Sequence, residues 1–275
     1  MTTSGILPPR VAPAPPAVAG EIGHAALSRM LMEPHEPLLY ADWDRALFIH
    51  YAVPAEILKP HVPFPLDLHE GIAYVSLLAF TMRDMRPRRG GRLAAWLFRP
   101  IATHGFLNVR TYVRVGDEVG IYFLTEHMGN RLSLHFGGPT YGLPYRFARL
   151  NFRHDWRGGE IAGRVTDPKS GAVYSYRALV DDDPAAYKPA AAGSLTEWLI
   201  ERYTAFTAAG RRRRLFRVWH PPWAESPAAV KVLDDSLLRE NWPWFAHARL
   251  VGANFSPGFR DVWMGRPYRV SDPKA

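Results

Sequence analysis

Apolar and polar residues alternate along much of this chain, and where the alternation lapses the apolar runs stay short. "DRALFIHYAV" (44–53) alternates and is aromatic, while "IAYVSLLAFTM" (72–82) is a nearly continuous apolar run of strand length. "FLNVRTYVRV" (106–115) and "VGIYFLTEHM" (119–128) form a further pair, joined by the tight-turn residues "GDE". "LPYRFARLNFRHDW" (143–156), "EIAGRVTD" (160–167), "AVYSYRALVD" (172–181), "LFRVWH" (215–220), "HARLVGANF" (247–255) and "DVWMG" (261–265) continue the series. Strands at this even spacing, without long helices between them, predict a mainly β fold. The expected form is a single antiparallel β-barrel or cone-like domain with a few flanking helices.

Helical signals are fewer. A short helix is predicted over Glu21–Met32, stopped by Pro34 and Pro37. Another lies in "PAEILK" (54–59), where Pro54 takes a first-turn position. "GSLTEWLIERYTAFTAAG" (193–210) reads as one longer helix. Ser194 and Glu197 make a capping box, and Leu195, Trp198, Leu199 and Phe206 share a face. Gly210 supplies its stop, and Arg211–Arg214 suit the negative end of its dipole. "RDMRPRRGGR" (83–92) reads as a solvated hairpin loop. Residues 1–20, rich in proline and alanine, carry too little apolar area to offset ordering entropy and are expected to be a disordered tail. No repeat or composition break divides 21–275, which reads as one domain.

Composition narrows the chemistry. The 275 residues contain no cysteine, which removes thiolate catalysis, disulfides and cysteine-ligated zinc. The net charge of +8 rests on 34 basic residues, of which only five are lysine: Lys59, Lys169, Lys188, Lys231 and Lys274. The arginines are spread along the chain and form no single patch, which argues against nucleic acid as the partner. No window approaches the ~18 apolar residues of a membrane span, and the N-terminus lacks a signal-peptide pattern, so the expected location is the cytoplasm. There is no GxxxxGK[ST], strand-borne GxGxxG, HExxH or GxSxG motif, and the histidines do not fall at metal-ligand spacing. Neither cofactor nor metal is expected. His127 and His220 read as packed or surface polar residues.

What remains is a set of polar groups inside strands. Strand alternation places Arg110 and Tyr112 on one face, and Tyr122, Leu124 and Glu126 on one face of the next strand. Gly142-Leu-Pro-Tyr-Arg146 is a turn that delivers Tyr145 and Arg146 to a strand start, with the two side chains on opposite sides; a phenol's apolar bulk with one polar tip suits Tyr145 to the inside.

The segments "HYAVPAEILKPHVPFPLDLHEGIAYVSLLAF", "FLNVRTYV", "GIYFLTEHMGNRLS", "GLPYRFARL", "GSLTEWLIERY" and "HPPW" together resemble the uncharacterised YqjF-like bacterial family, grouped with the acetoacetate decarboxylase-like superfamily. The resemblance runs from about Asp42 to Trp223 and implies a β-rich domain around a central cavity. Acetoacetate decarboxylases carry a Pro-Lys-Lys sequence whose first lysine forms a Schiff base, its pKa lowered by the neighbouring cation. The similar place here reads Pro144-Tyr145-Arg146, so the imine-forming amine is absent.

Three functions stay open at this level. The first is a cavity protein binding a small organic, anionic molecule through Arg110, Arg146, Tyr112, Tyr122 and Tyr145. The second is a Schiff-base-independent lyase, hydratase or isomerase acting on an oxo-acid, with Glu126 as base and Tyr145 as acid. The third is an arginine-rich module for nucleic acid or a protein partner.

Overall fold

The computed structural model describes residues 21–210 and 212–270. The expected tail lies outside the described residues. Among the described residues fifteen strands follow in chain order: β1 (Leu39–Val53), β2 (Ala73–Pro87), β3 (His104–Val115), β4 (Glu118–Met128), β5 (Tyr145–Phe147), β6 (Arg149–Arg153), β7 (Glu160–Thr166), β8 (Val173–Leu179), β9 (Lys188–Pro189), β10 (Thr204–Ala209), β11 (Arg212–Trp219), β12 (Ala224–Pro227), β13 (Ala229–Asp234), β14 (Arg249–Met264) and β15 (Tyr268–Arg269). Six α-helices accompany them: α1 (Glu21–Leu31), α2 (Ala55–Leu58), α3 (Gly91–Phe98), α4 (Arg131–Tyr141), α5 (Leu195–Ile200) and α6 (Ser236–Asn241).

The mainly β expectation holds, but the closed antiparallel barrel does not. An 11-stranded mixed sheet runs β15-β11-β10-β4-β3-β2-β1-β14-β12-β9, with β5 pairing alongside β4. It curls far enough for β14 to meet β11 at two residue pairs, Val218 with Met264 and Trp219 with Trp263. A separate four-stranded sheet, β13-β8-β7-β6, covers part of its outer face. The mixture arises because β5 and β10 join β4 in parallel after helical returns through α4 and α5.

Central strands are buried on both faces, which is why they read as near-continuous apolar runs. Along β2, Val75, Leu77 and Ala79 pack toward the second sheet, and Tyr74, Leu78, Phe80 and Met82 toward the concave interior. Val109 and Leu107 repeat the first pattern on β3. Tyr174 and Tyr176 of β8 fill the space between the sheets. Gly163 lies directly beneath Tyr176, where a Cβ would sit 2.3 Å from the ring, so only glycine leaves room for that tyrosine. At one end α1 packs Leu27 and Met30 on Trp219 and Trp263.

The predicted helix over 193–210 is corrected to a short one. Its start is as expected: Ser194 Oγ accepts from the Glu197 amide at 3.1 Å, and the Glu197 carboxylate accepts from the Gly193 amide at 2.6 Å. The helix then stops at Ile200, and Thr204–Ala209 is strand β10. Tyr203, Thr204, Phe206 and Thr207 are β-branched or aromatic, and this segment finds ladder partners on both sides, β4 and β11. Gly210 turns the β10–β11 hairpin. Arg214 does cap a helix end, but that of α4, donating to the Pro139 and Thr140 carbonyls at 3.0 and 2.7 Å.

Candidate functional site: a buried cation on a cavity wall

The concave interior of the large sheet holds a cavity of about 540 Å3. β3 supplies one wall. Alternation from its start presents His104, Phe106, Asn108 and Arg110 to the cavity, and Leu107 and Val109 to the core behind. Arg110 and Tyr112 share that face, as alternation requires.

β4 supplies the adjoining wall, with a break in phase. Val109 pairs with Thr125 while Arg110 pairs with Phe123, so Leu124 is an extra residue on β4, a β-bulge. Before the bulge Ile121 and Phe123 face the cavity; after it Glu126 and Met128 do. Tyr122 and Leu124 pack instead against the core between the sheets. The expectation that Tyr122, Leu124 and Glu126 share a face is therefore corrected. One inserted residue reverses the alternation.

β5 then lies parallel to β4 with Tyr145 opposite Glu126, and the Glu126 amide donates to the Pro144 carbonyl at 3.1 Å. Gly142 ends α4 at φ 73°, a left-handed turn that a side chain would resist, and Pro144 leads directly into the strand. Tyr145 borders the cavity, its ring centroid 6.3 Å from that of Phe106.

The other candidates lie apart. Arg146 is exposed and hydrogen-bonds Asn241, because it is Tyr145's neighbour on a strand and points the other way. Tyr112 is fully buried one rung beyond the cavity. Its hydroxyl donates to the Leu199 carbonyl at 2.9 Å and lies 2.5 Å from Ser76 Oγ, which is in turn 2.7 Å from His50 Nδ1. Tyr122 stacks edge-on with Phe64 on the far face. The structure thus brings Arg110, Glu126 and Tyr145 together on the cavity wall, sets Tyr112 behind Arg110, and leaves out Arg146 and Tyr122.

Several polar cavity residues lie outside the sequence-based candidates, among them His104, Asn108, Ser133 and Arg202. Asn108 was findable, since it lies two residues before Arg110 on one strand. Ser133 was not, because α4 contains glycines and a proline that hide its helical pattern.

The electrostatics of the wall are unusual. Arg110 is buried, its guanidinium carbon 5.4 Å from the Phe48 ring centroid, and two of its donors, Nε and Nη2, have no partner. Glu126 Oε2, Asn108 Oδ1, Ser133 Oγ and both His104 ring nitrogens are likewise buried and unpartnered. Burial pushes Glu126 up to about 8 although Arg110 pulls it down. Burial lowers Arg110, with Tyr112 and Glu126 opposing, yet a guanidinium starts so high that it stays charged at neutral pH. Burial holds His104 and His220 at about 4, so both are neutral there. Burial, reinforced by Glu126, raises Tyr145 well above its ordinary value, keeping it a phenol. Arg202, also at the cavity, is paired with Asp67 at 2.8 Å. At neutral pH the wall therefore carries one cation without a carboxylate partner among the described residues, Arg110, beside a protonated acid and a phenol.

Of the described lysines none borders the cavity, and no cluster of three His, Cys, Asp or Glu suited to a metal occurs among the described residues. Among the described residues no helix is long and apolar enough to cross a membrane.

This architecture is that of the acetoacetate decarboxylase-like proteins. The chain superposes on acetoacetate decarboxylase from Legionella pneumophila with a TM-score of 0.61, covering 91% of this chain and 97% of that one at 11% identity. It matches an acetoacetate decarboxylase-like enzyme from Sphingomonas wittichii RW1 at 0.56 (17% identity; 86% and 95% covered). The enduracididine biosynthesis enzyme MppR complexed with pyruvate matches at 0.57 (14% identity; 86% and 91% covered). Within that fold the chain belongs to the DUF2071 family of uncharacterized conserved proteins, whose pattern matches residues 40–251. It is 27% identical over 239 residues to the uncharacterized protein YqjF of Bacillus subtilis (strain 168), covering 80% of this chain and 91% of that protein.

Proposed function

We propose that this protein binds a small organic carboxylate in the cavity, with Arg110 as its anchor and without forming a Schiff base. One observation carries the reading: a buried guanidinium with two unpartnered donors on the wall of a 540 Å3 cavity, while burial pushes the nearby carboxyl of Glu126 up to about 8. A buried charge without a partner is costly, and a ligand carboxylate would offset that cost through a bidentate pair. Tyr145 and Glu126 then donate hydrogen bonds, and Asn108 adds an amide. The pyruvate complex of MppR makes a small oxo-acid a reasonable first probe. Imine chemistry needs a neutral amine at the ligand, and Tyr145 offers a phenol in its place.

The test is calorimetric titration with pyruvate and with acetoacetate, repeated on Arg110→Met. Binding should weaken by about 100-fold in the variant. Borohydride treatment of the complexes should leave the intact mass unchanged. Equal affinity in Arg110→Met would remove the anchor, and a reduced adduct on an internal lysine would overturn the Schiff-base-free reading.

A second reading rests on Glu126 alone. A carboxyl held at about 8 beside a phenol is tuned for proton transfer near neutral pH, which favours a lyase, hydratase or isomerase acting on an oxo-acid. Proton NMR in D2O discriminates: turnover would exchange the protons beside the ligand's carbonyl, and Glu126→Gln would stop that exchange.

A further inference from the structure

The sheet register orders the cavity wall from a polar floor to an apolar mouth. Across the sheet, Ser76 pairs with Arg110, then Leu78 with Asn108, Phe80 with Phe106, and Met82 with His104. On the other side Asn108 pairs with Glu126 and Phe106 with Met128. The polar groups that face the cavity are thus concentrated on two adjacent rungs, those of Arg110 and of Asn108 with Glu126. The next rung is carried by Phe80, Phe106 and Met128. His104, neutral, follows, and then the chain segment just before β3, where Ile101, Phe98 and Leu97 border the opening.

Floor and aromatic rung are both buried, with Phe80, Phe106 and Met128 at most about 5% exposed, and exposure rises only at the mouth. Arg110 and Glu126 are about 5% and 4% exposed, whereas Leu97 at the mouth is 61% exposed. The apolar surface continues outward over α3, where Leu93 and Trp96 are also largely exposed. A cavity of 540 Å3 lies within the ~300–1,000 Å3 that encloses drug-sized ligands, far more room than a two- or three-carbon acid fills. A short acid seated on Arg110 would leave the rungs of Phe80, Phe106 and Met128 facing water, losing the stabilisation that apolar contact there supplies.

Building on the carboxylate reading above, we infer that the ligand is an amphipathic monocarboxylate, its head on Arg110 and an extended apolar tail lying along Phe106, Phe80 and Met128 toward the mouth at Leu97. Arg110 is the one cavity cation without a carboxylate partner among the described residues, Arg202 being paired with Asp67, and so it matches a single negative charge. Glu126, protonated, neither adds a second charge nor repels the head group. A dicarboxylate or a phosphorylated acid would place its second charge on the rung of Phe80, Phe106 and Met128, which carries no cation.

The experiment is a calorimetric ladder on the full chain with acetate, butyrate, hexanoate and octanoate, with 1-octanol as the headless control. Affinity should rise about fourfold per added methylene, about 4,000-fold from acetate to octanoate. Octanol should bind far more weakly than octanoate, and Arg110→Met should cut octanoate affinity by about 100-fold. A flat ladder in which every acid still depends on Arg110 overturns the tail and leaves the carboxylate reading standing. Octanol binding as tightly as octanoate, or no binding by any acid, overturns the carboxylate reading and this inference with it. The ladder and the control use the unaltered protein, so head and tail are each tested even if the variant does not fold.

Discussion

Two buried polar clusters lie on opposite faces of the large sheet, and they differ in one respect. Between the sheets, Tyr51 and Tyr174 share a hydrogen bond at 3.1 Å, and His154 contacts Tyr176 at 2.7 Å and the Arg45 carbonyl at 2.9 Å. On the cavity side, Arg110, Glu126, Asn108 and His104 leave donors and acceptors unused. Both clusters are displaced in pKa by burial: Tyr174 and Tyr176 well upward, His154 down to about 4, Glu126 up to about 8. Burial and perturbed ionisation therefore do not separate a site from a core. Completeness of hydrogen bonding separates these two clusters, because a satisfied cluster has nothing left to offer a ligand.

The contrast is most severely tested by removing a member of the satisfied cluster. Tyr176→Ala empties a fully buried position over Gly163 and should cost about 3–5 kcal/mol in urea unfolding. Octanoate affinity, measured well below the transition, should not change. A matching loss of affinity would mean that the two faces are coupled and the contrast fails.

Glu126→Gln should act in the opposite direction. The carboxyl's folded pKa is raised from 4.5 to about 8, so the folded state holds a proton that the unfolded chain releases. Its contribution is therefore full below about pH 4.5 and is lost as pH rises through about 8. The variant should match the native protein at pH 4.5 and exceed its stability by roughly 2–4 kcal/mol at pH 9. The same ionisation places a negative charge beside the ligand head, so octanoate affinity of the native protein should fall above pH 8 and that of the variant should not. Parallel stability profiles for the two proteins would show that Glu126 ionises normally.

Tyr145→Phe is the mildest change. It keeps the ring against Phe106 and removes the hydroxyl, so octanoate binding should weaken by about tenfold, the loss of one hydrogen bond of ~1.4 kcal/mol. Unaltered affinity would reduce Tyr145 to a wall residue.

The chain's local pattern was sufficient for much of this architecture. Alternation and turn residues located β1 to β4, β7 and β8, the capping box located the start of α5, and the period of two on β3 put Arg110 on a face with Tyr112. Pro144 and Gly142 fixed where Tyr145 would leave the turn, and strand parity sent Arg146 the opposite way. These are local consequences of backbone sterics and of side-chain direction. Tertiary structure decided the rest. Residues 204–209 became strand because β4 and β11 flank them with unpaired backbone groups, a partnership no window of sequence contains. Leu124 became a bulge through pairing with β3, with no glycine or proline to announce it, and that one extra residue turned Glu126 toward Arg110 and Tyr122 away. Which polar groups lack partners is likewise a property of the packed sheet. A side chain's hydrogen-bond potential is written in its residue type; whether that potential is met depends on what the fold brings within reach.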